Sequence, residues 1–223
     1  ISACIVPVAV SKSTIRIELP YMILISGLLL VLGYTGSEIV LWEGIVLWAA
    51  FLLYLTYLFF MAKKNREEVQ EEQTKSPLWK LFLLAAFGLV LVVWGSDVTV
   101  NAATALANEF GLSERFIGLT IVALGTSLPE LFTSVNAARK GKADIAIGNI
   151  VGSNIFNILF VVGTAALITP VYFAPNFLID SLVAIASGFL LLFAVLRKKQ
   201  LSRPAGILML VAYASYFAYL LNS

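Results

Sequence analysis

Apolar stretches of membrane-spanning length, separated by short polar breaks, leave this chain little choice of fold. Seven can be marked, at 19–35, 39–61, 79–107, 116–137, 143–167, 177–196 and 204–221. Each is near the ~20 residues that a helix needs to cross ~30 Å of hydrocarbon, and the third is long enough to tilt. Lipid offers no hydrogen bonds to backbone groups, so stretches of this kind must be helical. Only 13% of the residues are charged and 60% are hydrophobic, where a soluble domain carries ~25% charge. The reading is an all-α integral membrane protein of about seven transmembrane helices, with the lipid bilayer as its first partner.

The same sequence narrows the function. There is no P-loop, no Gly-rich nucleotide fingerprint and no nucleophile elbow, so nothing points to ATP hydrolysis or to an enzyme. No cofactor and no nucleic-acid partner are expected. Cys4 is the single cysteine, so no intramolecular disulfide can form, and the absence of His argues against a His zinc site or a His proton relay.

The basic residues test the span count. With the N-terminus in the cytoplasm, alternation puts all of the 15 Lys and Arg except Arg115 on the inside. The positive-inside rule predicts such a bias, and a wrong count would scramble it. The C-terminus is then outside, and the polar segment 62–78 is a cytoplasmic connector. The opening ISACIVPVAV is too short to span and lacks the marks of a signal peptide. It reads as the tail of an earlier transmembrane helix.

Chemistry concentrates between Gly118 and Asn157. In the fourth span, GTSLPE (125–130) sets Glu130 inside an apolar run. A carboxylate at that depth costs at least ~3 kcal/mol and marks an ion path by default. Pro129 lacks an N–H and clashes with the carbonyl of Gly125, which frees carbonyls of that turn. Freed carbonyls and a carboxylate are hard oxygen ligands, suited to Ca²⁺ and its like. Thr126 and Ser127 share a helix face with Glu130. In the fifth span, GNIVGSNIFN (148–157) sets Asn149, Ser153 and Asn157 on one stripe, with Asn154 at its edge. Gly148 and Gly152 form a GxxxG pair, which lets two backbones approach closely. The tight basic loop RKGKAD should fold the two helices into an antiparallel hairpin with polar faces that meet.

Other acids have plainer readings. Asp97 and Asn101 form an i, i+4 pair that either borders the ion path or is structural. Glu43, near the outer end of the second span, reaches interfacial water. Asp144 caps the fifth span, where an acid is favoured, and Asp180 is interfacial.

GTSLPE followed by GNIVGSNIFN resembles the second α-repeat of the Ca²⁺/cation antiporter superfamily, in its prokaryotic sodium/calcium exchanger branch. The resemblance implies ten helices in two five-helix halves of inverted topology, with ion sites where two α-repeats meet. This chain would be the C-terminal part of such an antiporter. Residues 1–61 would end the first half, 62–78 would be the connector, and 79–223 the second half with its repeat at 116–167. By motif position Glu130 is implied to bind Ca²⁺ together with the carbonyl of Thr126. Ser127, Ser153 and the carbonyl of Ala123 are implied at Na⁺ sites. Asn157 stands where some members carry Asp. The resemblance further implies transport of Ca²⁺ and Na⁺ across a prokaryotic inner membrane. No second GTSxPE or GNxxGSN occurs in the chain, so the first α-repeat would belong to an N-terminal half outside it. A proton-coupled cation exchanger, a passive channel and a non-transporting membrane fragment are the alternatives.

Overall fold

The computed structural model describes residues 1–68, 77–111, 117, 123–175 and 177–222. Helices occupy the places that the apolar runs mark. After a short helix α1 (Ser2–Ile5) come α2 (Leu19–Gly36), α3 (Leu41–Glu68), α4 (Leu78–Glu109), α5 (Ala123–Thr126), α6 (Leu128–Arg139), α7 (Ala143–Phe156), α8 (Gly163–Ile168), α9 (Phe177–Leu196) and α10 (Arg203–Asn222). A π-helical turn, Thr14–Glu18, leads into α2, and another, Asn157–Val162, joins α7 to α8 as one long helix. Among the described residues, five helices are long and apolar enough to cross a membrane. The fourth expected span is described only as α5 and α6, and most of the cytoplasmic connector lies outside the described residues.

The helices form two compact units. The larger gathers Ile1–Glu68 with Ser134–Leu210, and the smaller gathers Val69–Thr133 with Val211–Ser223. The larger unit has a dry centre in which Leu19, Ile25, Leu47, Val151, Ile155 and Leu159 are fully buried. In the smaller unit the large side chains of α4, among them Phe82, Phe87 and Trp94, point outward. That is the arrangement of a helix whose solvent is lipid.

Four two-residue strands reveal a symmetry inside the larger unit. β1 (Val8–Ala9) pairs antiparallel with β4 (Gln200–Leu201), and β2 (Glu38–Ile39) with β3 (Val171–Tyr172). Each ribbon is built alike. A left-handed residue, Lys199 or Ser37, precedes one strand. Its carbonyl accepts the N–H of Val10 or of Phe173, at 2.9 and 2.8 Å. Beyond the ribbons, Gly206 of α10 lies against Ala3, and Gly44 of α3 against Ala166 and the Gly163 carbonyl. The segments ACIVPVA (3–9) and ALITPVY (166–172) therefore play the same part twice. One ribbon flanks the N-terminal end of α2 and the other its C-terminal end. A repeat that exchanges the two ends of a membrane helix is an inverted repeat, the plan of many secondary transporters.

Among the described residues, a close approach of helices is made at Gly44 and Gly163. A Cβ on Gly44 would stand 3.0 Å from the Gly163 carbonyl oxygen and from Ala166 Cβ, so α3 and α8 meet backbone to backbone there. Trp48 Nε1 donates to Thr164 Oγ1 at 3.1 Å just beyond. Beside Gly148 and Gly152 nothing among the described residues comes within 4 Å.

Candidate ion-binding site

The helix carrying GTSLPE breaks one residue earlier than the Pro129–Gly125 clash alone suggests. α5 ends at Thr126, Ser127 is a turn, and α6 begins at Leu128. Pro129 then sits in the first turn of α6, where its missing N–H costs nothing. Gly125 is buried, and any Cβ there would overlap Cγ2 of Val100 in α4. The glycine thus lets α5 lie directly on α4. Glu130 follows in the first turn of α6, an end of the helix that favours negative charge. Its side chain is half-buried and its Oε2 oxygen is shielded from solvent. Thr126 and Ser127 are exposed beside it in the chain. Ala123, Thr126, Ser127 and Glu130 all belong to the smaller unit.

The second group stands on the long helix of the larger unit. Ser134 is 2% exposed and ties the hairpin together. Its Oγ donates to the Ala146 carbonyl at 3.3 Å and accepts from Asn149 Nδ2 at 3.2 Å. The hairpin of α6 and α7 is thus joined by a polar contact at Ser134. The turn between them is a Schellman motif. Gly141 is left-handed at φ 71°, Lys142 N–H bonds the Ala137 carbonyl at 2.9 Å, and Gly141 N–H bonds that of Ala138 at 3.1 Å. Ser153 Oγ and Asn154 Nδ2 both bond the carbonyl of Ile150, at 3.1 and 2.8 Å. Asn157 is exposed and opens the π turn. π turns are rare and gather at functional sites.

The remaining acids divide. Asn101 Nδ2 donates to Asp97 Oδ2 at 3.1 Å on the exposed face of α4. Asp180 is half-buried in the first turn of α9, and the side chain of Asp144 lies outside the described residues. Glu43 corrects its expectation: it is 2% exposed and does not reach water. Its Oε2 accepts the N–H of Val40 at 2.8 Å, the back-reaching half of a capping box at the start of α3. Two functional-looking residues escape a reading of the motifs. Ser134 stands outside both, although its spacing of four from Glu130 was a signal. Glu18 lies just before the second helix and is 6% exposed; Thr14, four residues earlier, was the hint.

Among the described residues no group of three or more His, Cys, Asp and Glu converges. The donors on offer are one carboxylate, hydroxyls, amides and carbonyls, a set for hard cations. The sodium/calcium exchanger protein family matches residues 80–222. The chain belongs to that family. It is 34% identical over 237 residues to the inner membrane protein YrbG of Escherichia coli, covering 99% of this chain and 71% of YrbG. To the sodium/calcium exchanger MaX1 of Methanosarcina acetivorans it is 51% identical over 89 residues, 40% of this chain and 25% of MaX1. The solved structure of the sodium-calcium exchanger NCX_Mj superposes with a TM-score of 0.77 at 28% identity, over 98% of this chain and 70% of that one.

Proposed function

We propose that the chain carries the second-repeat half of the ion site of a secondary Na⁺/Ca²⁺ antiporter. The observation that carries this reading is Glu130, a shielded carboxylate at a helix break within an apolar segment. Here it acts as the charged ligand of Ca²⁺, joined by the Thr126 carbonyl. Ser127, Ser153 and the Ala123 carbonyl serve Na⁺, with Asn149, Asn154 and Asn157 completing the polar stripe. Ca²⁺ and Na⁺ compete for overlapping oxygens, so that binding of one drives release of the other. The first α-repeat comes from an N-terminal half. Its place is supported by the internal symmetry, in which Ala3 and Gly206 repeat the contact of Ala166 and Gly44. The chain divides accordingly at 62–78, with 1–61 closing the first half and 79–223 forming the second. It sits in a cell membrane with its N-terminus cytoplasmic and its C-terminus outside.

Equilibrium binding of radiolabelled Ca²⁺ to the purified full-length protein tests the reading. Glu130→Gln keeps the size of the side chain and removes its charge. Breaking a buried charge interaction costs roughly 3 kcal/mol or more, so affinity should fall roughly 100-fold at an unchanged melting temperature. Undiminished binding by Glu130→Gln would overturn the assignment.

A further inference from the structure

The polar contact between α6 and α7 has a direction. Ser134 is 2% exposed and Ala146 is fully buried, so the bond between them is closed to solvent. Ser134 Oγ lies 3.3 Å from the Ala146 carbonyl oxygen and 3.2 Å from Asn149 Nδ2. A hydroxyl has one hydrogen to give, and a carbonyl has none. The hydrogen of Ser134 is therefore committed to Ala146, and toward Asn149 the Ser134 oxygen accepts.

A side-chain amide has a donor end and an acceptor end of nearly the same shape, and its neighbours decide which way it sits. Beside an oxygen that accepts, Asn149 turns its Nδ2 inward. The reversed amide would set Oδ1 against Oγ, two acceptors at hydrogen-bond distance with no hydrogen between them. Ala146 and Asn149 stand three residues apart on one face of α7, so a single hydroxyl on α6 reaches both. A carbonyl of α7 thus sets the orientation of an amide on the same helix, relayed through Ser134. Orientation matters to an ion, because a hard cation is drawn to the oxygen end of an amide and repelled by its N–H end.

We propose that Ser134 is a positioning residue of the ion site: it holds the Asn149 amide in one orientation, and affinity for the transported cation depends on that orientation. The inference rests on the reading of the Asn149, Ser153 and Asn157 stripe as part of the ion site. Further contacts of Asn149 are compatible with it, since Ser134 takes one of the two amide hydrogens.

The test is equilibrium binding of radiolabelled Ca²⁺ to the purified full-length protein, with melting temperature and Glu130→Gln measured beside it. Ser134→Ala should weaken Ca²⁺ roughly 2- to 10-fold, the worth of one hydrogen bond. Ser134→Thr keeps the hydroxyl and should restore the affinity. In an Asn149→Ala background, Ser134→Ala should have no further effect, because the amide it orients is gone. If Ser134→Ala fails to fold, Ser134→Cys, whose sulfur accepts only weakly, takes its place. A lower melting temperature at unchanged Ca²⁺ affinity would overturn the proposal and leave Ser134 a packing residue. So would a threonine variant as weak as the alanine one, or the same weakening with and without Asn149. Loss of binding in Glu130→Gln beside full affinity in Ser134→Ala would sink this inference alone. Full affinity in Glu130→Gln beside the expected cycle at Ser134 and Asn149 would support it and sink the assignment of Glu130.

Discussion

Substituting Gly44 by alanine puts the inverted repeat under direct test. The new Cβ would stand 3.0 Å from the Gly163 carbonyl oxygen, 3.0 Å from Ala166 Cβ and 3.2 Å from the Leu167 nitrogen. Two of these three atoms are backbone and cannot swing aside, so α3 and α8 must separate by several tenths of an ångström. Overpacking of this kind costs about 1–3 kcal/mol. Against it stands the helix propensity that alanine gains over glycine, about 1 kcal/mol. The net destabilisation is therefore about 1 kcal/mol, with 2 as an upper figure. For a chain of this size that corresponds to a fall of roughly 2–8 °C in melting temperature, measurable by thermal challenge of detergent-solubilised protein followed by size-exclusion chromatography. Gly27→Ala is the control, because nothing among the described residues lies within 4 Å of its Cβ, and it should be neutral or stabilising. Gly206→Ala, against Ala3 Cβ at 3.0 Å and Cys4 Sγ at 3.2 Å, should behave like Gly44→Ala but more mildly, since a sulfur at the end of a side chain can move. A Gly44→Ala protein as stable as Gly27→Ala would refute the close packing and the symmetry drawn from it.

Two further outcomes are expected. Glu43→Ala removes the acceptor of a half-buried Val40 N–H and should cost about 1–2 kcal/mol. Glu43→Gln retains an acceptor oxygen and should cost less than half of that in the same thermal assay. Ser134→Ala removes one acceptor of Asn149 Nδ2. If Asn149 is an ion ligand, the Ca²⁺ concentration for half-maximal uptake should rise roughly 2- to 10-fold, from a hydrogen bond worth ~0.5–1.5 kcal/mol.

Spans were legible because lipid imposes one rule on every residue of a helix, and apolar runs report it directly. The hairpin of α6 and α7 was legible from its short loop, and the glycine that closes its Schellman turn was in plain view. Burial of single acids was not. Glu43 and Glu18 both sit at the ends of apolar runs, where sequence alone suggests interfacial water. Only the fold shows one turned back on a backbone N–H and the other buried, with the Thr14 hydroxyl donating to it. The close contact of α3 with α8 was hidden for a related reason. GxxxG marks a surface where a helix is able to approach, but the approach at Gly163 depends on a glycine far away in the chain, Gly44. The strands stayed hidden because two residues inside a connector have no periodicity to detect. Within the motifs, the residue types were readable. Which of them turn to their own helix, as Ser153 and Asn154 do toward Ile150, is decided by side-chain rotamers.

The central claim is coupled exchange, and ion flux tests it most directly. The measurement is Ca²⁺ uptake into proteoliposomes holding the full-length protein, with an outward Na⁺ gradient and, separately, a pH gradient without Na⁺. The account predicts uptake that follows the Na⁺ gradient and disappears in Glu130→Gln. Uptake that ignores Na⁺ and follows the pH gradient, or that survives the loss of the Glu130 carboxylate, would contradict it.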